Sequence, residues 1–163
     1  MKEDFYRKIV DYIIENQNKF YRLAYSYVRN QEDALDVVQS SVCKALEHYG
    51  DLRREEAMKT WLYKIIVNES LKMLRENKRY GSLEGCEEKE GYYEEKGFNT
   101  QDTLYEQIGK LDLESQTVIK LRFYEDLTLK EIAEVTNLNL NTAKARLYRG
   151  LRSLKLILKE ENL

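Results

Sequence analysis

Positive charge is concentrated in one stretch near the C-terminal end of the chain, from residue 141 to residue 159. This stretch carries six Lys or Arg side chains and no acid. The whole chain of 163 residues has 27 Lys plus Arg against 29 Asp plus Glu, a formal net charge of −2. Cationic side chains on one helical face bind phosphates and guanine edges. The stretch therefore predicts contact with DNA, and the alternative is a charged amphipathic helix on the surface of a bundle.

Two predicted helices position these cations. Thr128, followed three residues later by Glu131, is a capping-box signature, so a short helix is predicted to begin there. Asn137 predicts its end, because asparagine tolerates the left-handed backbone conformation. A second helix is predicted from about Asn139, with this buried stripe: Ala143, Leu147, Leu151, Leu154 and Leu158. Two helices joined by a turn of about four residues are typical of a helix-turn-helix.

Side chains in the first turn or off the buried stripe of the second helix are the predicted DNA contacts. They are Asn141, Thr142, Lys144, Arg146, Tyr148 and Arg149. Asn141 and Thr142 suit phosphate and base-edge contacts. Arg146 and Arg149 can pair bidentately with guanine, whereas Lys144 suits phosphate.

A long helix predicted from about Glu55 to Arg79 carries a second set of candidates. They are Trp61, Lys64, Asn68, Lys72, Arg75 and Arg79. Aromatic rings interleaved with cations and an amide suit unstacked bases and backbone phosphates. The alternatives are that Trp61 anchors the core between helices and that Asn68 has a structural partner.

Three further helices are predicted before this one, and the four are expected to form one compact bundle. The first places Phe5, Ile9, Tyr12 and Ile13 on one face, and the second runs from about Lys19 to Arg29. The third follows Asn30, which can cap it. Its apolar positions are Ala34, Leu35, Val38, Val42, Ala45 and Leu46. Cys43 lies within this pattern and is predicted to be in the core.

The segment 81–103 separates two mildly positive parts of the chain. It has seven acids, two cations and four of the seven glycines. It is predicted to be a flexible acidic linker between domains 1–80 and 104–163. It is either a solvated spacer or a strap whose carboxylates compete with nucleic acid for the basic faces. The predicted fold is all-α, with two small helical domains, an N-terminal bundle and a C-terminal helix-turn-helix domain.

Composition gives little support for catalysis. One histidine, His48, no Gly-rich phosphate loop and no Ser/His/Asp arrangement argue against an enzyme. Neither a cofactor nor a metal site nor a small-molecule substrate is predicted. Neighbouring carboxylates disfavour a reactive thiolate at Cys86. Without a run of about 18 apolar residues or a signal peptide, the protein is predicted to be cytoplasmic.

Three motifs, in order, resemble bacterial RNA polymerase sigma factors of the extracytoplasmic-function (ECF) group. "EDALDVVQ" (32–39) resembles the segment that docks on the polymerase clamp helices, which implies core polymerase contacts for Asp33, Asp36 and Gln39. "MKTWLYKIIVNESLKMLR" (58–75) resembles the promoter-melting and minus-ten segment. "LTLKEIAEVTNLNLNTAKARLYRGLRSLK" (127–155) resembles the minus-thirty-five helix-turn-helix. The resemblance covers roughly 5–80 and 104–158.

The resemblance implies a sigma factor that binds core RNA polymerase and directs promoter-specific transcription initiation. It also implies that the loop 50–60 holds an unstacked base. The implied partners are core polymerase, promoter DNA and an anti-sigma factor, often membrane-anchored, controlling an envelope or extracytoplasmic stress regulon. Ser40, Lys72, Asp112, Asn137 and Asn141 stand where the family commonly has other residues. Promoter preference is therefore the least transferable property.

Two other interpretations stay open. An autonomous helix-turn-helix transcriptional regulator, with 1–80 as a sensor or dimer module, would bind its operator without polymerase. An interaction module without a nucleic-acid role would tolerate charge reversal within 141–159.

Overall fold

The computed structural model describes residues 2–84 and 99–161, and the side chains of 4–78 and 104–160. Within these ranges every regular element is helical. The α-helices are α1 (Lys2–Val28), α2 (Gln31–Glu47), α3 (Met58–Glu84), α4 (Asn99–Ile108), α5 (Leu113–Phe123), α6 (Leu129–Thr136) and α7 (Leu140–Glu161). Short 3-10 helices lie at Tyr49–Asp51 and Glu55–Ala57. One compact unit holds α1 to α3 and another holds α4 to α7, which confirms the predicted all-α fold with two helical domains.

The core of the N-terminal unit lies where α1, α2 and α3 pack together. Phe20 of α1 and Tyr63 of α3 are almost completely buried, and their rings meet edge to face with centroids 5.4 Å apart. Leu23 and Ala24 of α1 and Ala34 of α2 are also fully buried. Burial of these apolar side chains stabilises the bundle, because most helical stability in proteins comes from tertiary packing of an apolar face.

The N-terminal bundle has three long helices, not the four predicted, because α1 is one continuous helix of 27 residues. Its buried apolar side chains continue across the predicted break as one stripe: Ile9, Ile13, Phe20, Leu23, Ala24 and Tyr27. The polar run 15–19 contains neither Gly nor Pro. Asn16 Nδ2 donates to the Tyr12 carbonyl at 2.8 Å, one turn back along the helix. The predicted separation of two helices is therefore wrong, since tertiary packing outweighs the weak helix propensity of asparagine.

Helix α2 begins where Asn30 was predicted to cap it, but its buried face differs from the prediction. Asn30 Oδ1 accepts from the Asp33 N–H at 2.9 Å. The buried residues of α2 are Ala34, Val37, Ser41 and Ala45, at steps of three and four. Cys43 is exposed, and Leu35 is 52% exposed. The prediction of Cys43 in the core is wrong, because it lies about 200° around the helix from Ser41.

Helix α5 is the central helix of the C-terminal unit. All residues from 115 to 121 are buried, and α6 and α7 both pack against it. Its polar side chains are satisfied internally: Gln116 Nε2 donates to the Leu111 carbonyl at 2.8 Å, and Lys120 Nζ donates to Gln116 Oε1 at 3.1 Å. The apolar core around it contains Ile108, Leu111, Ile119, Leu147 and Leu154. Helix α5 thus fixes the position of α7.

Both ends of the predicted linker 81–103 are helical. Helix α3 continues to Glu84, and α4 begins at Asn99. One glycine, Gly81, costs a helix only about 1 kcal/mol relative to alanine and does not end α3. The predictions for the acidic residues between these helices, and for Cys86, lie outside the described residues.

Candidate nucleic-acid interface

Three local capping interactions define the start and the end of α6 and the start of α7. Thr128 N donates to Glu131 Oε1 at 2.9 Å, and Glu131 N donates to Thr128 Oγ1 at 3.1 Å, so the predicted capping box is present. Asn137 adopts a left-handed conformation with φ 61° and ψ 34°, which ends α6 as predicted. Asn139 Oδ1 accepts from the Thr142 N–H at 2.8 Å and caps α7. These caps orient α6 and α7 around a three-residue turn, 137–139.

Helix α7 has a buried face and an opposite cationic face. The buried side carries Ala143, Leu147, Gly150 and Leu154, with Leu151 half-buried. Leu158, predicted to continue this stripe, is exposed. The exposed polar and charged residues at helical spacing on the other side are Asn141, Lys144, Tyr148, Arg149, Arg152 and Lys155. Segregation of charge on one face is what a helix needs to lie along a phosphate backbone while packing on its own domain.

Most of the predicted contacts of α7 are therefore available to DNA. Asn141, Lys144, Tyr148 and Arg149 are exposed, whereas Thr142 is half-buried. The structure also places Arg152 and Lys155 on this face, and neither was among the predicted contacts. The sequence did contain the necessary signal, since both belong to the six cations of 141–159.

Arg146 is in a different environment from the other cations of α7. Its side chain is only 20% exposed, and its Nη1 lies 3.3 Å from Glu114 Oε1 in the first turn of α5. Its Nε is buried without a hydrogen-bond partner. The predicted pairing of Arg146 with guanine stays a prediction, but this arginine is already partly held by an acid of another helix.

A second acid at the same end of α5 lies close to a predicted DNA contact. Asp112 caps α5, and its Oδ2 accepts from the Ser115 N–H at 3.2 Å. Partial burial acts to raise the pKa of Asp112, but hydrogen bonds from Ser115 and the positive charge of Arg149 together bring it below the ordinary value. Asp112 is thus firmly ionised at neutral pH, next to Arg149.

Helix α3 presents the second candidate surface. Trp61, Lys64, Asn68, Lys72 and Arg75 follow one another at steps of three or four, so they share one face. Asn68, Lys72 and Arg75 are exposed, while Trp61 and Lys64 are half-buried. The opposite face is buried and consists of Met58, Leu62, Tyr63, Ile66 and Val67. The structure brings these five candidates together, and the side chain of the sixth, Arg79, lies outside the described residues.

The segment 49–57, which contains most of the loop 50–60 and leads into α3, contacts α1 at two points. The ring of Tyr49 meets the ring of Tyr6 edge to face, with centroids 5.2 Å apart. Glu55 Oε1 lies 2.8 Å from Lys8 Nζ. Leu52, between these two residues, is itself buried. The segment therefore packs on α1 just before α3 begins at Met58.

The predicted docking residues of α2 divide into two kinds. Asp36 and Gln39 are exposed. Asp33 is half-buried, and its Oδ2 accepts from Asn77 Nδ2 of α3 at 2.9 Å, so it has a structural partner. The exposed Leu35 and Cys43 lie on the same face as Gln39, at steps of four. Cys43 had been predicted to be in the core and Leu35 to belong to the apolar pattern of this helix, so the sequence missed both as candidate contacts.

The described residues, 2–84 and 99–161, contain neither a candidate metal site nor a membrane-spanning helix. No group of three or more His, Cys, Asp or Glu in those ranges could hold a metal ion. None of the helices there is long and apolar enough to cross a membrane.

Two family models match the chain, one in each unit. Sigma-70 region 2 matches residues 13–80, and Sigma-70, region 4 matches residues 101–154. The RNA polymerase sigma factor SigV of Bacillus subtilis is 43% identical over 156 residues, covering 95% of this chain and 93% of that protein. The ECF RNA polymerase sigma factor SigW of the same organism is 27% identical over 168 residues, covering 94% and 88%.

Two solved structures share the fold. The sigma factor RpoE of Bartonella quintana, in complex with the anti-sigma factor NepR, has a TM-score of 0.75 at 18% identity, covering 94% of this chain and 98% of that one. CnrH, in complex with the cytosolic domain of CnrY, has a TM-score of 0.74 at 22% identity, covering 94% and 89%.

Proposed function

Because this chain belongs to the ECF group of RNA polymerase sigma factors, we propose that it directs promoter-specific initiation through three surfaces. Domain 1–80 holds the polymerase-docking face of α2 and the minus-ten face of α3. Domain 104–163 holds the minus-thirty-five face of α7. The observation that carries this assignment is the segregation of α7 into a buried apolar face and an exposed cationic face within a capped helix-turn-helix.

Helix α7 enters the major groove of the minus-thirty-five element with its N-terminal turns against the bases. Lys144, Arg152 and Lys155 neutralise phosphates and set the orientation of the helix. Arg146 and Arg149 reach base edges, where a guanidinium can pair bidentately with guanine. Asn141, Thr142 and Tyr148 complete the contact surface in the first turns.

Helix α3 and the loop 50–60 act on the minus-ten element. Trp61 offers an aromatic face to a base that leaves the stack, and Lys64, Lys72, Arg75 and Arg79 contact the phosphates of the separated strand. Asn68 is an exposed amide between them and can bond a base edge. Capture of an unstacked base offsets a few kcal/mol of unstacking energy, so the chain needs no enzymatic activity of its own to open DNA.

The exposed face of α2 docks on core RNA polymerase. Asp36 and Gln39 supply polar contacts, and the exposed Leu35 supplies an apolar one. Asp33 contributes chiefly by holding α2 against α3 through Asn77. The chain works in the cytoplasm, where an anti-sigma factor, membrane-anchored and responsive to envelope stress, binds it and blocks initiation. Two structural neighbours were solved as complexes, one with the anti-sigma factor NepR and the other with the cytosolic domain of CnrY.

Transcription in vitro tests the proposed function directly. Core RNA polymerase without sigma is given a library of bacterial genomic fragments, with and without the chain. We expect new, discrete start sites only when the chain is present, all sharing two upstream sequence elements. Binding to a DNA site without polymerase, together with no initiation, would instead support an autonomous regulator.

The thiol of Cys43 provides a specific test of the docking face. In a Cys86→Ser background, we expect core polymerase to slow alkylation of Cys43 by about tenfold or more, because an interface core excludes solvent. The matched control carries Cys43→Ser, Cys86→Ser and Lys19→Cys, which moves the thiol to an exposed position of α1. Alkylation there should be unaffected by core polymerase. Equal rates at Cys43 with and without core polymerase would exclude this face as the docking surface.

A further inference from the structure

We propose that Glu114 is a positioning residue for promoter reading. Its carboxylate holds the guanidinium of Arg146 so that the remaining N–H donors of Arg146 are directed to the minus-thirty-five element. The proposal rests on the proposed function of α7. It adds a residue of another helix, one that does not itself touch DNA, to the determinants of promoter specificity.

The close approach of α5 and α7 makes this contact possible. A Cβ added at Gly150 would meet Ser115 Cβ and Ile119 Cδ1 at 3.1 Å each, so side chains of α5 pack directly on the backbone of α7 there. Glu114 directly precedes Ser115, and Arg146 lies one helical turn before Gly150. The two side chains therefore meet at the open end of the same helix crossing, 3.3 Å apart.

The exposed fractions of the two side chains indicate that Glu114 positions Arg146 and not the reverse. The side chain of Arg146 is 20% exposed, whereas that of Glu114 is 67% exposed. Since the Arg146 Nε is buried without a partner, the stem of the arginine is confined between the helices and only its tip is accessible. The Glu114 carboxylate contacts one terminal nitrogen of the guanidinium, Nη1. A guanidinium has five N–H donors in one plane, so with Nε buried and Nη1 beside Glu114 the N–H groups of Nη2 stay available to a base or a phosphate.

Fixing the arginine before DNA arrives favours binding and selectivity. Immobilising an arginine costs side-chain conformational entropy, and a side chain that is already held loses less on binding. A guanidinium held in one orientation can also pair with fewer base sequences than a mobile one. Asp112, which caps the same end of α5, interacts electrostatically with Arg149, the other arginine predicted to read bases.

The test uses the full chain with core polymerase and four variants: Glu114→Gln, Arg146→Ala, the double variant, and Glu106→Gln. The last removes one negative charge from an exposed position of the same unit. Transcription is measured on promoters with every single base-pair substitution in the minus-thirty-five element. We expect Glu114→Gln to lower transcription from the best promoter by about 3- to 10-fold and to weaken discrimination at the base pairs read by Arg146. It should have no further effect in the Arg146→Ala background, and Glu106→Gln should resemble the unchanged chain.

Each of the following outcomes would overturn the proposal. Higher transcription with Glu114→Gln would mean that Glu114 competes with DNA for the arginine. An equal loss on all promoters, or the same loss in the Arg146→Ala background, would mean that Glu114 only supports the fold; thermal unfolding of each variant measures that effect separately. If the unchanged chain gives transcription and Glu114→Gln matches it, the positioning role alone fails. No transcription with the unchanged chain would refute the proposed function and this inference with it.

Discussion

Replacing Arg149 with alanine is expected to reduce transcription from a promoter with a minus-thirty-five element by about 10- to 100-fold, as for the loss of a bidentate guanine contact. Arg149 is exposed on the cationic face of α7, in the half of the helix nearer its N-terminal end. Its removal loses a base contact and the charge beside Asp112. In vitro transcription on substituted promoters should show that the variant no longer distinguishes one base pair.

Lys159→Ala is the matched control, since it removes one positive charge from the same helix ten residues further on. At a rise of 1.5 Å per residue, Lys159 lies about 15 Å along α7 from Arg149 and away from the N-terminal turns that enter the groove. Transcription with this control should remain within about twofold of the unchanged chain. A similar loss in both variants would mean that α7 contributes only general positive charge and does not read bases.

Replacing Phe20 with alanine is expected to destabilise the N-terminal unit by about 3–5 kcal/mol, as for other buried phenylalanines. Phe20 is 1% exposed, and its ring packs against that of Tyr63, which is also 1% exposed, so truncation leaves a cavity between α1 and α3. The loss is a large part of the stability of a small domain. Circular dichroism should show the unfolding midpoint of that unit falling by more than about 10 °C.

Phe123→Ala is the control for this substitution, because Phe123 is 55% exposed. The same truncation there should change the free energy of unfolding by no more than about 0.5 kcal/mol. Phe20→Leu, which refills part of the cavity, should lie between the two. If Phe20→Ala unfolded at the same temperature as the unchanged chain, the three-helix core as described would be wrong.

The features that the sequence predicted correctly depend on neighbours within one helical turn. Thr128 and Glu131 form their capping box from residues three apart, and Asn30 caps α2 by the same kind of contact. Asn137 ends α6 because its own side chain tolerates positive φ. Interactions of this range involve only residues that are close together in the sequence, so they can be predicted without knowledge of the fold.

The predictions failed where packing between residues far apart in the sequence determines burial and helix length. Leu35 and Cys43 lie in a stretch of α2 with apolar residues on a wide arc, and only the positions of α1 and α3 decide which part of that arc is buried. The polar run 15–19 resembles a loop, but the stripe on either side of it packs as one surface. The contact between Glu114 and Arg146 joins residues 32 positions apart on two helices, so no local pattern could predict it.

The side of α7 that packs on α5 is separate from the side predicted to face DNA. Gly150 meets Ser115 and Ile119, and the solvent-facing positions 141, 144, 145 and 148 are not part of that contact. We expect that these four positions can be randomised together in a library without repacking α5, so that variants with new promoter preferences can be selected from it. A larger side chain at position 150 would crowd Ser115 and Ile119, 3.1 Å from its Cβ, and would shift α7 on α5.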